Sequence, residues 1–185
     1  MAEYYLISQL PSLDSVGEAS PLPITEDRFC ELCDRFLSKK LKNQLHSLTL
    51  SPKRDCDASG SALVDAWIES EQNIRFALCK VRAEKMKKHF DMQNRILPAQ
   101  YIKAANSATE MENPMEAEKF LNRFRLETLE SLRPMDSFSD EYILYYGLKL
   151  KLLLRIRQFD RETGEEVYRN IYNSILYGDG LEVKR

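Results

Sequence analysis

Apolar side chains are densest in residues 142–159, where they recur around nearly the whole circumference of a helix that turns about 100° per residue. Only one narrow stripe of this helix is clearly polar, and it consists of Gly147, Lys151, Arg155 and Gln158. A helix that is apolar nearly all round is normally buried. We therefore expect a central core helix, with Lys151 and Arg155 at least partly accessible on its polar stripe.

The same stretch alternates apolar and basic residues between Leu148 and Arg157, which is also the period of a β-strand. The helix is favoured because Leu, Lys and Arg predominate over Val, Ile and Thr. No turn signal interrupts the run either.

Helix-start signals predict further helices along the chain. The clearest is Asn113-Pro114-Met115-Glu116, because Asn caps a helix, Pro fits its first position and Glu can hydrogen-bond back to the cap. Further starts are predicted at Thr25, Ser61 and Thr163. The resulting helices cover residues 26–48 with a bend near Ser38, a long stretch after Ser61, and residues 99–108, 114–132, 140–160 and 165–177.

The last of these helices has an apolar face at helical spacing. The residues that line this face are Val167, Tyr168, Ile171, Tyr172 and Ile175. At the other end of the chain, residues 4–7 fit either a short strand or the first turns of a helix. The sequence thus predicts an all-α bundle of about five to seven helices, with at most a short N-terminal strand.

Length and composition favour one helical domain over residues 1–185, with an N-terminal segment and loop (1–24), a helical body (25–177) and a tail (178–185). Glycine and proline are scarce, at six and seven residues, which favours helices over a turn-rich β fold. Charged residues make up 30% of the chain but balance to −2, so no polyelectrolyte partner is indicated. We expect a cytoplasmic protein, because no signal peptide or long uncharged apolar run is evident.

Four cysteines, Cys30, Cys33, Cys56 and Cys79, indicate free thiols in a reducing compartment. Cys30 and Cys33 have the CxxC spacing of some metal and redox sites, but zinc needs two more ligands and no second paired spacing exists. We predict that the pair lies on one helix and points at the core, without a metal or a disulfide.

The long helix after Ser61 becomes basic towards its end, through Lys80, Arg82, Lys85, Lys87 and Lys88. Acidic residues first and basic residues last suit the helix dipole. The basic end fits either a solvated helix terminus interleaved with Glu84 or a patch for nucleic acid or phospholipid. The residues predicted to bind a partner are Lys80, Lys87, Lys151 and Arg155.

No motif for catalysis, cofactor binding or metal binding is evident. The sequence has no GxGxxG or GxxxxGK loop, no HExxH and no GxSxG, and neither histidine has a glutamate three residues before it. We therefore predict a protein that is not an enzyme and has no cofactor, catalytic residue or metal site. A site assembled in space from scattered carboxylates is the third-ranked alternative.

Four further features occur together. They are the opening Ala2-Glu3-Tyr4-Tyr5-Leu6-Ile7 with Leu10-Pro11-Ser12-Leu13, the loop Pro21-Leu22-Pro23-Ile24, Trp67 with Asn73-Ile74-Arg75, and Tyr145-Tyr146-Gly147-Leu148-Lys149-Leu150. In this combination the chain resembles a bacterial family, seen in Bacteroides-like genomes, whose genes lie among those of V/A-type rotary ATPases. That family is similar to the central-stalk C subunit (d in eukaryotes), a longer helical socket that joins the rotor shaft to the membrane ring.

The resemblance implies a non-enzymatic structural or accessory subunit whose partners are other subunits of a rotary ATPase. It also implies that the protein reaches the inner membrane only peripherally, through that complex, and takes no small-molecule substrate. The main alternative is a helical regulatory module that binds another protein or, less in keeping with the charge balance, a nucleic acid.

Overall fold

The structure is a computed structural model that describes residues 2–14, 16, 21–53, 58–90, 95–158 and 161–177. These residues form eight α-helices and no β-strand, so the predicted all-α class is confirmed. The helices are more numerous than predicted, and residues 4–7 belong to the first of them. They are α1 (Ala2–Gln9), α2 (Glu26–Phe36), α3 (Lys39–Ser47), α4 (Ala62–Lys85), α5 (Ala99–Glu110), α6 (Pro114–Ser131), α7 (Asp140–Gln158) and α8 (Arg161–Tyr177).

Three predicted helix starts are confirmed by side chains that accept a hydrogen bond from the first turn. Thr25 caps α2, Ser61 caps α4 and Asn113 caps α6. The distances from these side-chain oxygens to the backbone nitrogen are 3.2, 3.4 and 3.0 Å, respectively. Each cap pairs one backbone N–H that the helix leaves unpaired.

The predicted continuous helix over residues 26–48 is wrong, because Leu37 and Ser38 interrupt it. Both residues have extended backbone, with ψ of 155° and 154°. Ser38 Oγ accepts a hydrogen bond from Leu41 N at 3.4 Å. Serine favours such local bonds over a continued helix, so Ser38 starts α3 instead of bending a longer helix.

The predicted helix start at Thr163 is also wrong. α8 begins at Arg161, so Thr163 and Gly164 lie inside its first turn. Thr and Gly each lower helix propensity by only about 1 kcal/mol or less, so a sequence that looks like a cap does not by itself start or stop a helix. Residues 159 and 160, between α7 and α8, lie outside the described part of the chain.

α7 is the centre of the larger of two apolar clusters, as predicted for the central helix. Residues 143–150 are all buried, and so are Leu152 and Leu153. α2, α3, α6 and the first half of α4 pack around α7. Gly147, which the sequence pattern counts with the polar stripe, is buried as well. A Cβ at this position would lie 3.2 Å from side-chain atoms of Leu45 and Leu48, so glycine allows α3 to approach α7 closely.

The smaller apolar cluster is formed by the second half of α4, by α5 and by the first half of α6. α4 runs through both clusters, because Trp67 belongs to the larger and Ile74 to the smaller. α6 does the same with Leu129 and Leu121. These two helices therefore join the clusters, and the residues midway along them lie at the junction.

Candidate interaction surfaces

The predicted polar stripe of α7 is half-buried and ion-paired. Lys151 Nζ lies 3.4 Å from a carboxylate oxygen of Glu26 and donates a hydrogen bond to Leu48 O at 3.1 Å. Arg155 donates to Glu118 at 2.8 Å. Both basic side chains are 29% exposed, so the expected partial accessibility is confirmed. Because each already has a carboxylate partner within the chain, the stripe offers little unpaired charge to another protein.

Lys80 and Lys87 lie on a different part of the molecule, the end of α4. Lys80 is within 4.0 Å of Glu84, one helical turn away. Lys87 is exposed and follows the helix with a φ of +53°. The four predicted partner-binding residues therefore do not form one patch: Lys80 and Lys87 lie at the end of α4, and Lys151 and Arg155 lie on α7.

A charged cluster lies at the junction of the two apolar clusters. Arg125 Nε donates to Glu71 Oε1 at 2.9 Å, and the Glu71 side chain is only 2% exposed. Arg125 also donates to Asn122 Oδ1 at 2.9 Å and approaches Glu118 at 3.4 Å. Glu118 is shared with Arg155, so α4, α6 and α7 meet in one network. The pattern of the sequence gives no sign of it, because Glu71 and Arg125 are 54 positions apart.

Burial raises the pKa of the Glu71 carboxyl, although the charge of Arg125 acts in the opposite direction. A buried carboxylic acid with a raised pKa is a common feature of catalytic sites. Here, however, the side chain is enclosed and its Oε1 accepts a hydrogen bond from Arg125. The arrangement favours a structural role, in which the pair fixes α4 against α6.

A second buried charge, Lys149, anchors the N-terminal segment to α7. Its Nζ lies 2.7 Å from Asp14 Oδ1 and 2.5 Å from a carboxylate oxygen of Glu130. Burial by itself lowers the pKa of Lys149, but the hydrogen bonds to Asp14 and Glu130 outweigh it and raise that pKa. The same contact with Lys149 lowers the pKa of Asp14. Lys149 is not among the residues predicted to bind a partner, because its only signal in the sequence is a lysine on the apolar side of a buried helix.

The two cysteines of the CxxC spacing differ in their surroundings. Cys33 is in the core, 1% exposed, and burial raises the pKa of its thiol to about 12. Cys30 is half-buried, and burial raises its pKa as well. A thiol that stays protonated is a poor nucleophile and metal ligand. Within the described residues no three His, Cys, Asp or Glu side chains are arranged to hold a metal ion, and Cys56 lies outside those residues.

The apolar face that the sequence predicts for the last helix is exposed on α8. Six large side chains are between 49% and 75% exposed. They cover roughly half of the helix circumference at 100° per residue. Periodicity reveals such a face but cannot tell whether the chain itself or another molecule covers it. We call this set the α8 face: Val167, Tyr168, Ile171, Tyr172, Ile175 and Leu176.

The opposite side of α8 is polar and includes Asn170, Asn173 and Ser174. On the apolar side, Tyr168 and Tyr172 stack with ring centroids 6.0 Å apart. The face therefore presents an ordered apolar and aromatic surface rather than isolated exposed side chains. None of the helices in the described part of the chain has both the length and the hydropathy needed to cross a membrane.

Comparison with known proteins gives one match. The model of a family described as "Protein of unknown function (DUF2764)" matches residues 89–178, a segment that contains α5 to α8. No curated protein matches the chain, and no solved structure does. The match covers the α8 face and Arg125 but not Glu71, and it carries no statement of activity or partner.

Proposed function

We propose that the protein is a non-enzymatic helical adaptor, a structural or accessory subunit of a V/A-type rotary ATPase that acts between the stalk and the membrane ring. The adaptor role is carried by one observation, the exposed α8 face. Large contiguous apolar patches on a protein surface commonly mark interaction sites. An apolar arc of half a circumference is wider than the seam between two paired helices. The α8 face therefore suits docking into a groove between two or more helices of a partner.

The proposal also requires a stiff body, since an adaptor in a rotary machine holds two partners in register. Two features of the core support such stiffness. The Glu71–Arg125 pair joins α4 to α6, and Lys149 joins α7 to Asp14 and Glu130. Separating a buried ion pair leaves a charge in a medium of low dielectric, which is strongly unfavourable. Helices held in this way resist sliding past each other.

The ATPase context rests on the resemblance of the sequence, and much of that resemblance lies in core residues. Trp67, Tyr145, Tyr146 and Leu148 are all buried. In the proposal they maintain the fold, while the α8 face makes the contact. The partners are other subunits of the ATPase, the chain uses no cofactor or small-molecule substrate, and it lies in the cytoplasm and meets the inner membrane only through its partners.

The competing proposal is a regulatory module that binds another protein or a nucleic acid. The observation that favours a nucleic acid is the basic end of α4, from Lys80 to Lys88. Phosphate contacts make affinity fall steeply with salt concentration. A salt titration of binding to duplex DNA or RNA therefore separates the two proposals, since docking through the α8 face depends weakly on salt.

The proposed function is tested by purifying the rotary ATPase from cells that express the tagged chain and measuring the chain in the preparation by mass spectrometry. Wild type is expected to copurify with the ATPase subunits. Ile171→Glu, which places a charge in the α8 face, is expected to be absent from the ATPase preparation. Asn170→Glu adds the same charge on the polar side of α8 and is expected to copurify normally.

Two results would contradict the proposal in different ways. If the wild-type chain is absent from the ATPase, the ATPase context is wrong. If Ile171→Glu copurifies as well as wild type, α8 is not the docking element.

A further inference from the structure

A second surface of the body, separate from the α8 face, has the shape of a docking groove. It runs between α4, α5 and α6 and has a volume of about 550 Å³. Its lining is mainly apolar, and small side chains form part of its floor, which lets a partner backbone approach closely. The apolar lining residues are Leu78, Met86, Ala108, Met111, Ala117 and Leu121. We call it the α4–α6 groove.

One lip of the α4–α6 groove is strongly basic. Arg82 and Lys85 line it, and Lys87 and Lys88 follow them at the end of α4. Lys85 donates to Thr109 O at 2.6 Å. Within the described part of the chain, no carboxylate pairs with Arg82, Lys87 or Lys88.

Glu118 is the single carboxylate among the described residues that line the groove, and it is already engaged by two arginines of the protein, Arg125 and Arg155. The α4 lip therefore presents positive charge that carboxylates in the described part of the chain do not neutralise. Opposite charges placed across an interface give specificity and speed association.

Lys87 adds an independent indication that the basic lip serves a purpose. It has a φ of +53°, a conformation that glycine adopts without strain and that is unfavourable for lysine. The backbone needs this conformation, because Lys88 N bonds back to Ala83 O at 2.9 Å and Lys87 N to Glu84 O at 3.1 Å, which closes the end of α4. Strained residues of this kind cluster at functional sites.

We infer that the α4–α6 groove is the second docking site of the adaptor and binds an amphipathic helix of a partner protein, with acidic side chains along the edge that faces α4. The apolar side of that helix covers the groove floor, and its acidic edge meets Arg82, Lys85 and Lys87.

A nucleic acid fits the groove less well. Its described lining residues include no aromatic ring that could stack on a base, whereas single-strand binding sites combine basic side chains with aromatic platforms.

The test measures fluorescence anisotropy of labelled probes with the full chain. The probes are a helical peptide of Leu, Ala and Glu about five turns long, the same peptide with Lys for Glu, and a short DNA duplex. The acidic peptide is expected to bind most tightly. Arg82→Glu is expected to lower the affinity for the acidic peptide about tenfold. Ala117→Trp, which fills the groove, is expected to lower this affinity as well.

Two control variants make the result specific. Lys103→Glu carries the same charge change on an exposed position of α5 outside the groove and is expected to leave the affinity unchanged. Ile171→Ser alters the α8 face and is also expected to leave it unchanged. Circular dichroism checks that every variant is folded.

The inference is overturned if the basic peptide or the duplex binds more tightly, if Arg82→Glu has no effect, or if Ile171→Ser weakens binding of the acidic peptide. Those outcomes concern the groove alone. The copurification of Ile171→Glu tests the α8 face separately, so either surface can fail without the other.

Discussion

Arg125 Nε lies 2.9 Å from Glu71 Oε1 at the junction of the two apolar clusters. Each residue sits on a helix that runs through both clusters, between a side chain of one cluster and a side chain of the other. The pair is therefore the polar link between two apolar parts of one body. Its main consequence is orientation, because a buried pair can hold α4 and α6 in one register even where its net contribution to stability is small.

Replacing Arg125 with Met should destabilise the protein by about 3–5 kcal/mol, because Glu71 is left buried without its partner. The double variant Arg125→Met with Glu71→Leu should recover most of that loss, since a well-packed apolar pair often replaces a buried ion pair without penalty. Urea unfolding followed by circular dichroism measures both. Lys119→Met, at an exposed position of α6, should stay within about 0.5 kcal/mol of wild type. A double variant as unstable as Arg125→Met would mean that the pair itself, not the stranded charge, supplies the stability.

Stability should depend on pH through Glu71. Burial raises its pKa above the ordinary 4.5, so the folded protein holds this proton more readily than the unfolded chain. The resulting stabilisation is fully present below pH 4.5 and is lost as the pH rises through the raised pKa. As the pH falls through that raised pKa, the wild type should therefore gain stability relative to Glu71→Gln.

The carboxyl of Asp14 also has a shifted pKa, so the comparison with Glu71→Gln should be made above the pH range in which Asp14 titrates. The pKa of Asp14 is lowered from 3.8, mainly by its hydrogen bond with Lys149, so its contribution is lost as the pH falls below that range. Melts at pH 5 and above exclude this opposite effect. Parallel pH profiles for wild type and Glu71→Gln would contradict the assignment to Glu71.

Two substitutions in α7 separate its apolar interior from its ion-paired stripe. Leu152→Ala should cost about 2–5 kcal/mol, because Leu152 is completely buried. Reversing Lys151 and Arg155 to Glu should cost about 2 kcal/mol or more, since it places like charges beside Glu26 and Glu118. If only the partial exposure of Lys151 and Arg155 mattered, and not these carboxylate partners, the reversal should cost almost no stability. Gln158→Glu, exposed on the same helix, is the control, and denaturant melts decide between the two expectations.

Much of the fold follows from local signals. Thr25, Ser61 and Asn113 fix helix starts because a cap bonds to its own first turn. The burial of α7 follows because a helix with apolar residues on nearly every side can be stable only in a core. The break at Ser38 has a local cause too, but a serine within a leucine-rich run fits both a bend and a new start.

The interaction surfaces could be predicted only in part. The spacing of Val167, Ile171 and Ile175 defines an apolar face, but it is the same for a face that packs on the core and a face that another molecule covers. Glu71 and Arg125 gave no signal, since each alone looks like a solvated helical charge and only the packing of α4 on α6 brings them together. Lys87 was predicted to bind a partner because of its charge, whereas its positive φ appears only in the folded backbone.

Lys87→Gly should stabilise the fold and weaken the α4–α6 groove at the same time. Glycine adopts the positive φ without strain, so the free energy of unfolding should rise by about 0.5–1 kcal/mol. Removing the lysine also takes one positive charge from the basic lip, so the acidic peptide should bind less tightly, and the loss should shrink at high salt. Urea melts and anisotropy on the same preparations measure the two effects.

Lys88→Gly is the matched control, because it removes the same charge one position later, where no positive φ is present. Glycine there relieves no strain and adds freedom to the unfolded chain, so this variant should be no more stable than wild type. Both variants should weaken peptide binding to a similar degree if the lip acts through its charge. If Lys87 is a strained residue whose charge serves binding, only Lys87→Gly should gain stability. Both variants should then lose affinity for the acidic peptide. If Lys87→Gly gains stability and still binds the acidic peptide as wild type does, the strain at Lys87 is unrelated to docking. The basic lip then consists of Arg82 and Lys85 without Lys87.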